Sequence, residues 1–314
     1  ISSYSWMSMW MGLEINLLSI IPLMNSNKNL MASESALKYF ITQTIASSVL
    51  LYSLIFIFLL KEKNTISSMN PLILMLNSAI LLKMGAAPLH FWFPEIMEGL
   101  NWSNSFIMLT WQKIAPSILL SNMLKNYNLL YFFIITSIII GGTMGLNQNS
   151  LRKILAYSSI NHIGWMLSAL LLNLSIWLNY FLIYTFITMN LIIFLKKMNL
   201  FFTTQLFFIK NNLIKISFLT NFLSMGGVPP FLGFLPKWMI LNNLIQKNFP
   251  ISILMVVTTL ITLFMYIRTI LPSFTFNNSE SKINKTFTST FYLWWMNGFN
   301  ILSLVLCTIW FNLS

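Results

Sequence analysis

Three charged side chains lie far from the ends of the apolar stretches that contain them. Glu14, Lys83 and Lys113 are each about ten residues, or about 15 Å of helix, from either end of their stretch. A charged side chain near a helix end can reach the membrane surface, but this distance is too long for that. The three charges should therefore face the interior of a helix bundle and pair with one another or with water.

A buried lysine beside a carboxylate is suited to passing on a proton. Burial favours the neutral amine, whereas a nearby carboxylate favours the charged ammonium. We hypothesise that Glu14 modulates the charge of Lys83 in this way and that Lys113 is the next proton carrier. The alternative is a buried ion pair that only fixes helix packing. The combination of three central charges with an interrupted helix favours proton handling.

The stretch 81–95 places Lys83 beside a helix interruption. Gly85 and Pro88 disfavour a continuous helix there, and a freed backbone group in hydrocarbon costs several kcal/mol unless protein or water satisfies it. A similar Met-Gly-x-x-Pro motif begins at residue 225, with a spacing of 141 residues. Paired interrupted helices are typical of inverted-repeat transporters and their ion paths.

Two further residues are candidates for the same chemistry. Lys237 follows Pro236 at the start of the second half-helix, where an ordinary interfacial lysine is the alternative. His162 lies in an apolar helix near two serines and an asparagine. A hydrogen-bonded packing histidine is the simpler interpretation, but a water-bridged proton relay would use the same residue types.

The composition predicts an all-α, polytopic membrane protein. Of 314 residues, 57% are hydrophobic and 8% are charged, against about 25% charged in an ordinary soluble domain. We predict about ten transmembrane helices in a single domain, with a first repeat at about 1–124, a second at about 127–272 and a C-terminal helix at about 287–312. The apolar segments are 4–24, 36–60, 70–93, 104–124, 127–147, 153–172, 175–195, 213–246, 250–272 and 287–312.

The net charge of +12 is best explained by membrane topology. On a soluble protein it would suggest nucleic acid, but basic residues also cluster in loops on one side of a membrane. Alternating sides along the segments places nine loop lysines and arginines opposite the side of residue 1 and four on that side. The richer side should face the cytoplasm or the mitochondrial matrix. These nine are Lys28, Arg152, Lys153, Lys196, Lys197, Lys210, Lys215, Lys282 and Lys285.

Several cofactor and metal chemistries are excluded by the residues present. The one cysteine, Cys307, cannot build an iron–sulfur site, and two histidines cannot hold two bis-histidine haems. The chain has no glycine-rich nucleotide loop of a known type, so we expect no NADH, flavin or ATP site. Without Asp and with six Glu, a dedicated Ca²⁺ or Mg²⁺ cage is not expected.

The motifs around these charges resemble a known family, the antiporter-like membrane-arm subunits of mitochondrial NADH–ubiquinone oxidoreductase, respiratory complex I, in an arthropod-like form. The resemblance runs from the first residues to about 270. The motifs that carry it, in the family's order, are Trp10-Met11-Gly12-Leu13-Glu14-Ile15-Asn16, Leu82-Lys83-Met84-Gly85-Ala86-Ala87-Pro88-Leu89-His90-Phe91-Trp92, Thr110-Trp111-Gln112-Lys113-Ile114-Ala115-Pro116, Gly145-Leu146-Asn147-Gln148, Leu151-Arg152-Lys153, Met225-Gly226-Gly227-Val228-Pro229-Pro230 and Pro236-Lys237-Trp238.

This resemblance implies a proton path through Glu14, Lys83, Lys113 and Lys237, with His162 as a possible relay. It implies a multi-pass protein of the mitochondrial inner membrane that contacts other complex I subunits, especially antiporter-like neighbours, and lipid. It also implies that NADH, FMN, iron–sulfur clusters and ubiquinone bind in partner subunits and not in this chain. Family members usually have one more helix before the glutamate helix, so we expect an incomplete N-terminus, as Ile1 in place of Met also suggests.

Three alternatives remain at this stage. One is a cation/proton antiporter subunit of the same ancestry. Another is a different antiporter-like chain of complex I, in which a glutamate would replace Lys237. The third is a structural membrane scaffold whose central charges only lock helices together.

Overall fold

The fold was analysed in a computed structural model, which describes residues 3–25, 29–62, 69–123, 127–209, 212–275, 297, 298 and 300. Chain packing divides it into two compact units, Ile1–Ser137 and Ile138–Ser314. In the described ranges the regular structure is helical, apart from one isolated bridge between Ser150 and Phe202. The all-α prediction is therefore confirmed, whereas the boundaries of the two sequence repeats stay a prediction.

The first unit is built around one long helix. This helix, α2, packs against α1, α3 and α4, and its 33 residues exceed the ~20 that a bilayer requires. Gly99, at the end of α4, lets the two backbones approach closely, since a Cβ there would overlap the Met31 carbonyl oxygen of α2. The helices are α1 (Trp6–Met24), α2 (Leu30–Glu62), α3 (Met69–Met84), α4 (Trp92–Gly99), α5 (Trp102–Leu109), α6 (Trp111–Ser121) and α7 (Tyr127–Gly145). The boundary between the two units lies inside α7.

The second unit surrounds a buried helix. Helix α8 is rich in Gly, Ala and Ser on its buried surface, and such small residues allow neighbouring helices to pack closely in a membrane. It contacts α9 and α11, while α10 packs against α9 and α12. The helices are α8 (Leu151–Leu172), α9 (Leu174–Met198), α10 (Asn212–Gly226), α11 (Phe234–Lys247) and α12 (Phe249–Thr275), with a short 3-10 helix at Thr203–Phe208.

Most predicted segments agree with the helices to within a few residues, but α2 begins at Leu30 rather than at residue 36 and α4 extends to Gly99 rather than to residue 93. Six of the described helices are long and apolar enough to cross a membrane alone, and the two predicted interrupted helices are present as α3/α4 and α10/α11. The segment 104–124, predicted as continuous, is divided into α5 and α6 at Thr110. Of the predicted C-terminal helix, only positions 297, 298 and 300 belong to the described residues.

The first interruption ends α3 with a glycine in the left-handed region. Gly85 has φ +76°, which a residue with a Cβ adopts only at a cost. Its N–H donates to the Leu82 carbonyl at 3.0 Å, and the Ala86 N–H donates to the Leu81 carbonyl at 3.1 Å. These two bonds form the Schellman motif, which satisfies carbonyl groups that the helix end leaves without partners.

The second interruption repeats this geometry at the end of α10. Gly227 has φ +75°, its N–H lies 3.1 Å from the Ser224 carbonyl oxygen, and the Val228 N–H donates to the Leu223 carbonyl at 3.3 Å. Each interruption also contains a cis X–Pro bond. The two half-helices therefore end by the same backbone mechanism.

The left-handed glycines correct the alignment of the two motifs. Gly85 corresponds to Gly227 and not to Gly226, so the spacing is 142 residues rather than the predicted 141. Helices α4 and α11, which follow the interruptions, begin with the same spacing. At this spacing Lys237 corresponds to Glu95 of the first motif, and the position that corresponds to Lys83 is a methionine.

Candidate functional site

Lys83 is buried in the last turn of α3, where its side chain is 6% exposed. A cation is favoured at this end of a helix, because the carbonyl groups point outward there. Glu14, on α1, acts on it electrostatically. Lys38 forms ion pairs with Glu34 and Glu95, whereas no ion pair closer than 4.0 Å joins Glu14 to Lys83 among the described residues. Glu14 is thus placed to bias the charge of Lys83 without holding it in a contact pair.

Lys113 lies in the first turn of α6, just after the interruption at Thr110, and is 2% exposed. Its ammonium is 5.6 Å from the centre of the Phe93 ring, close enough for a cation–π attraction. A Cβ at Gly85 would lie 3.4 Å from the Phe93 Cβ. The Phe93 side chain therefore contacts both the first interruption and Lys113.

A polar cluster that the sequence did not reveal ties α1 and α2 to α6. The Gln112 side-chain oxygen accepts hydrogen bonds from Asn16 Nδ2 at 2.8 Å and from the Tyr39 hydroxyl at 3.3 Å. A cavity of about 280 Å³ lies between α1 and α6, and Leu13 and Ile114 are among its lining residues. These two residues adjoin Glu14 and Lys113 in sequence, so open space lies beside both helices that carry the charges.

Lys237 reaches back from α11 to the end of α10. Its ammonium donates to the Gly226 carbonyl at 2.7 Å and lies 3.4 Å from the Met225 carbonyl oxygen. Its aliphatic stem covers Gly227, where a Cβ would lie 2.8 Å from the Lys237 Cδ. The Trp165 ring centre is 5.6 Å from the ammonium. The residue is 6% exposed and is therefore not the interfacial lysine that the sequence left open.

His162 is buried in α8 and contacts two tyrosines of α9. Its Nδ1 lies 2.7 Å from the Tyr180 hydroxyl, and its ring centre is 5.0 Å from that of Tyr184. All three line a cavity of about 10 Å³ that also touches Met225, about the space of a single water. The histidine, the tyrosines and the end of α10 therefore share one small cavity.

One buried lysine was missed from the sequence. Lys215, assigned above to a loop, is in α10 and is 5% exposed. Its ammonium donates to the carbonyl of Ser273 near the end of α12. This contact stabilises a helix end. The residue lies inside the predicted apolar segment 213–246, and this position could have indicated that it is in a helix and not in a loop.

The structure groups the candidate residues by unit. Glu14, Lys83 and Lys113 lie in the first, and Lys237 and His162 lie in the second. Within the ranges given above, no three His, Cys, Asp or Glu side chains cluster where they could hold a metal ion.

Comparison with known families defines the class of protein. Residues 3–262 match the family described as NADH:quinone oxidoreductase/Mrp antiporter, transmembrane. A chain of respiratory complex I from Thermus thermophilus with bound aureothin has the same fold, with a TM-score of 0.77 and 24% identity over 95% of this chain and 70% of that one. The chain is therefore an antiporter-like, multi-pass membrane protein, as predicted.

Relatives of known identity narrow this class further. NADH-ubiquinone oxidoreductase chain 2 of Anopheles gambiae is 50% identical over 278 residues, which are 85% of this chain and 80% of that protein. The corresponding protein of Aedes aegypti is 48% identical over 322 aligned positions, which cover 98% of this chain and 93% of that protein. The chain belongs to the NADH-ubiquinone oxidoreductase chain 2 family, and the predicted arthropod-like resemblance is confirmed.

Proposed function

We propose that this chain is a proton-translocating membrane subunit of NADH:ubiquinone oxidoreductase in the mitochondrial inner membrane. Its relatives are named as chain 2 of that enzyme, and its family also covers Mrp antiporters. In this proposal the chain has no redox site, and NADH, FMN, the iron–sulfur clusters and ubiquinone bind to partner subunits. Redox chemistry in those subunits drives the movement of protons through this one.

The observation that carries the proposal is that each buried lysine of the predicted path lies at a helix interruption. Lys83 comes just before Gly85, Lys113 comes just after Thr110, and Lys237 bonds to the last carbonyl of α10. Interrupted helices supply polar backbone groups at membrane depth, which transporters use around ion sites.

The arrangement around Lys83 supports a mechanism in which the charge of Glu14 controls proton release. An ionised Glu14 stabilises the Lys83 ammonium across the gap between them. When Glu14 is protonated this stabilisation is lost, and Lys83 gives its proton to the next carrier. Lys113 is that carrier in the first unit, while Lys237 serves as the terminal carrier in the second and His162 is a possible relay beside it.

Exchange of Lys83 for a neutral residue of similar length tests this function. In Lys83→Met we expect the enzyme to assemble and oxidise NADH while moving fewer protons per electron. Lys247→Met is the matched control, since Lys247 is an exposed lysine in the last turn of α11. Assembly, NADH oxidation and proton movement should be measured on the same membrane vesicles. Normal assembly with an undiminished proton-to-electron ratio in Lys83→Met would favour the scaffold alternative instead.

A further inference from the structure

The end of α10 receives a hydrogen-bond donor from beyond the helix. A helix leaves its last four carbonyl groups without intrahelical partners, here those of residues 223–226. The backbone N–H groups of the Schellman motif serve Leu223 and Ser224. The remaining two carbonyls, of Met225 and Gly226, face the ammonium of Lys237. The lysine thus supplies the hydrogen bonds that the backbone N–H groups do not make to these two carbonyls.

We propose that the charge of Lys237 holds the α10–α11 interruption closed, and that loss of its proton opens the interruption to water. Gly227, Trp165 and the Gly226 carbonyl then act as positioning groups for Lys237. The proposal rests on the proposed function only in taking Lys237 as a proton carrier. It adds that the interruption is closed when Lys237 carries its proton and opens when Lys237 releases it.

The contacts around the ammonium depend on its charge. A hydrogen bond from an ammonium to a carbonyl is about twice as strong as one between neutral groups, and a cation–π attraction to Trp165 requires the cation. The favourable interaction with the negative end of α10 also disappears when the amine is neutral. All three attractions therefore weaken together when Lys237 loses its proton.

A route for water lies beside the same carbonyls. The small cavity shared by His162 and the α9 tyrosines is also lined by Ser224, Met225 and Pro236. Water that enters this cavity can bond to the Met225 carbonyl as the neutral amine withdraws, because buried water takes the place of missing polar partners. Opening the interruption therefore joins Lys237 to His162 through water.

The first interruption also has a buried lysine at the end of its first half-helix, but at a different place in the motif. Lys83 is in the last turn of α3 itself, whereas Lys237 comes from beyond the interruption and returns to the end of α10. Both lysines thus belong to the carbonyl end of the first half-helix, although the 142-residue spacing does not align them. This is the arrangement expected if a cation at that end matters more than its place in the sequence.

Hydrogen exchange in the assembled complex, without NADH, tests the proposal. The amides of Gly227, Val228 and Phe231 donate to carbonyl groups within the interruption, so their exchange reports its opening. In Lys237→Met we expect these amides to exchange about 10- to 150-fold faster than in the wild type, while Lys237→Arg keeps most of the protection. Lys247→Met should have no effect. Unchanged exchange in Lys237→Met, or equally fast exchange in Lys237→Arg, would overturn the proposal.

Hydrogen exchange of the wild type at several pH values tests the same proposal and does not depend on the assembly of any Lys237 variant. Titratable side chains that face this region are His162 on α8, Tyr180 and Tyr184 on α9 and Tyr266 on α12. After correction for intrinsic exchange, protection of the three amides should fall as the pH is raised, because deprotonation of Lys237 removes its charge-dependent contacts, both in the wild type and in His162→Gln. Protection that does not change with pH would contradict the proposal, as would a change abolished by His162→Gln.

The two claims about Lys237 can fail separately. If Lys237→Met loses protection but pumps protons normally, its role in the path is wrong while its control of the interruption stands. If the same variant pumps poorly but keeps full protection, the path role stands and the control of the interruption is wrong.

Discussion

Replacing Gly227 with alanine should destabilise the second interruption through backbone strain and through displacement of Lys237. The same change at Gly85 should destabilise the first interruption through backbone strain. Both glycines have φ near +75°, where an alanine costs about 1–2 kcal/mol. At Gly85 a Cβ meets ring and side-chain carbons at 3.3 Å or more, and these contacts break no hydrogen bond. At Gly227 it meets the Lys237 Cδ at 2.8 Å and its ammonium at 3.1 Å. The lysine must therefore move.

Moving Lys237 breaks its 2.7 Å bond to the Gly226 carbonyl. A hydrogen bond with a charged donor contributes about 1.5–3 kcal/mol, so Gly227→Ala should lower the free energy of local opening by about 2.5–5 kcal/mol in total. Gly85→Ala should lower it by about 1–2 kcal/mol at its own interruption. The difference between the two variants, about 1.5–3 kcal/mol, measures the contact made by the lysine.

Hydrogen exchange at the two interruptions measures this difference directly. Relative to the wild type, the Val228 amide in Gly227→Ala should accelerate about 10- to 150-fold more than the Ala86 amide does in Gly85→Ala, at about 1.4 kcal/mol for each ten-fold change. Each variant also serves as the control for the interruption it leaves intact. Equal acceleration in the two would refute the reasoning, because the cost would then come from the glycine conformation alone.

Three further predictions concern packing and polar contacts. Tyr180→Phe removes the hydroxyl 2.7 Å from His162 Nδ1, so we expect slower proton pumping at an unchanged level of assembled complex; an unchanged rate would remove this pair from the path. Gly99→Ala overlaps a backbone carbonyl of α2 and should lower stability by about 1–3 kcal/mol, whereas Gly12→Ala meets nothing within 4 Å and should stabilise α1 by about 0.5–1 kcal/mol; equal heat stability of the two variants would contradict the packing argument. Gln112→Leu leaves the side chains that it binds from α1 and α2 without their acceptor, so the complex should dissociate at a lower temperature after a loss of about 1–3 kcal/mol, and an unchanged temperature would show that the contact contributes nothing.

The interruptions at Gly85 and Gly227 could be predicted because their cause is local. Glycine and proline limit the backbone within a few residues, and the apolar background places the motif in a membrane. The interruption at Thr110 has no such signal, since no glycine or proline stands within five residues of it. Its position became evident only from the backbone, where Thr110 joins α5 to α6.

The partners of the buried charges could not be predicted, because they come from distant parts of the chain. Tyr180 is 18 residues from His162, and the Ser273 carbonyl is 58 residues from Lys215. Helical periodicity identifies which side of a helix is apolar, but it does not determine which neighbour packs there. The one-residue correction in the alignment of the two motifs has a similar cause, since either adjacent glycine of the second motif fits the pattern and only φ distinguishes them.

The proton-to-electron ratio of Lys113→Met tests the central claim most directly. Lys113 is the most deeply buried of the three lysines, at 2% exposed, and methionine retains most of its length without the charge. The account predicts that vesicles carrying this variant, assembled normally and oxidising NADH, move fewer protons per electron than vesicles carrying Lys247→Met. An equal ratio in the two would contradict proton movement through this chain.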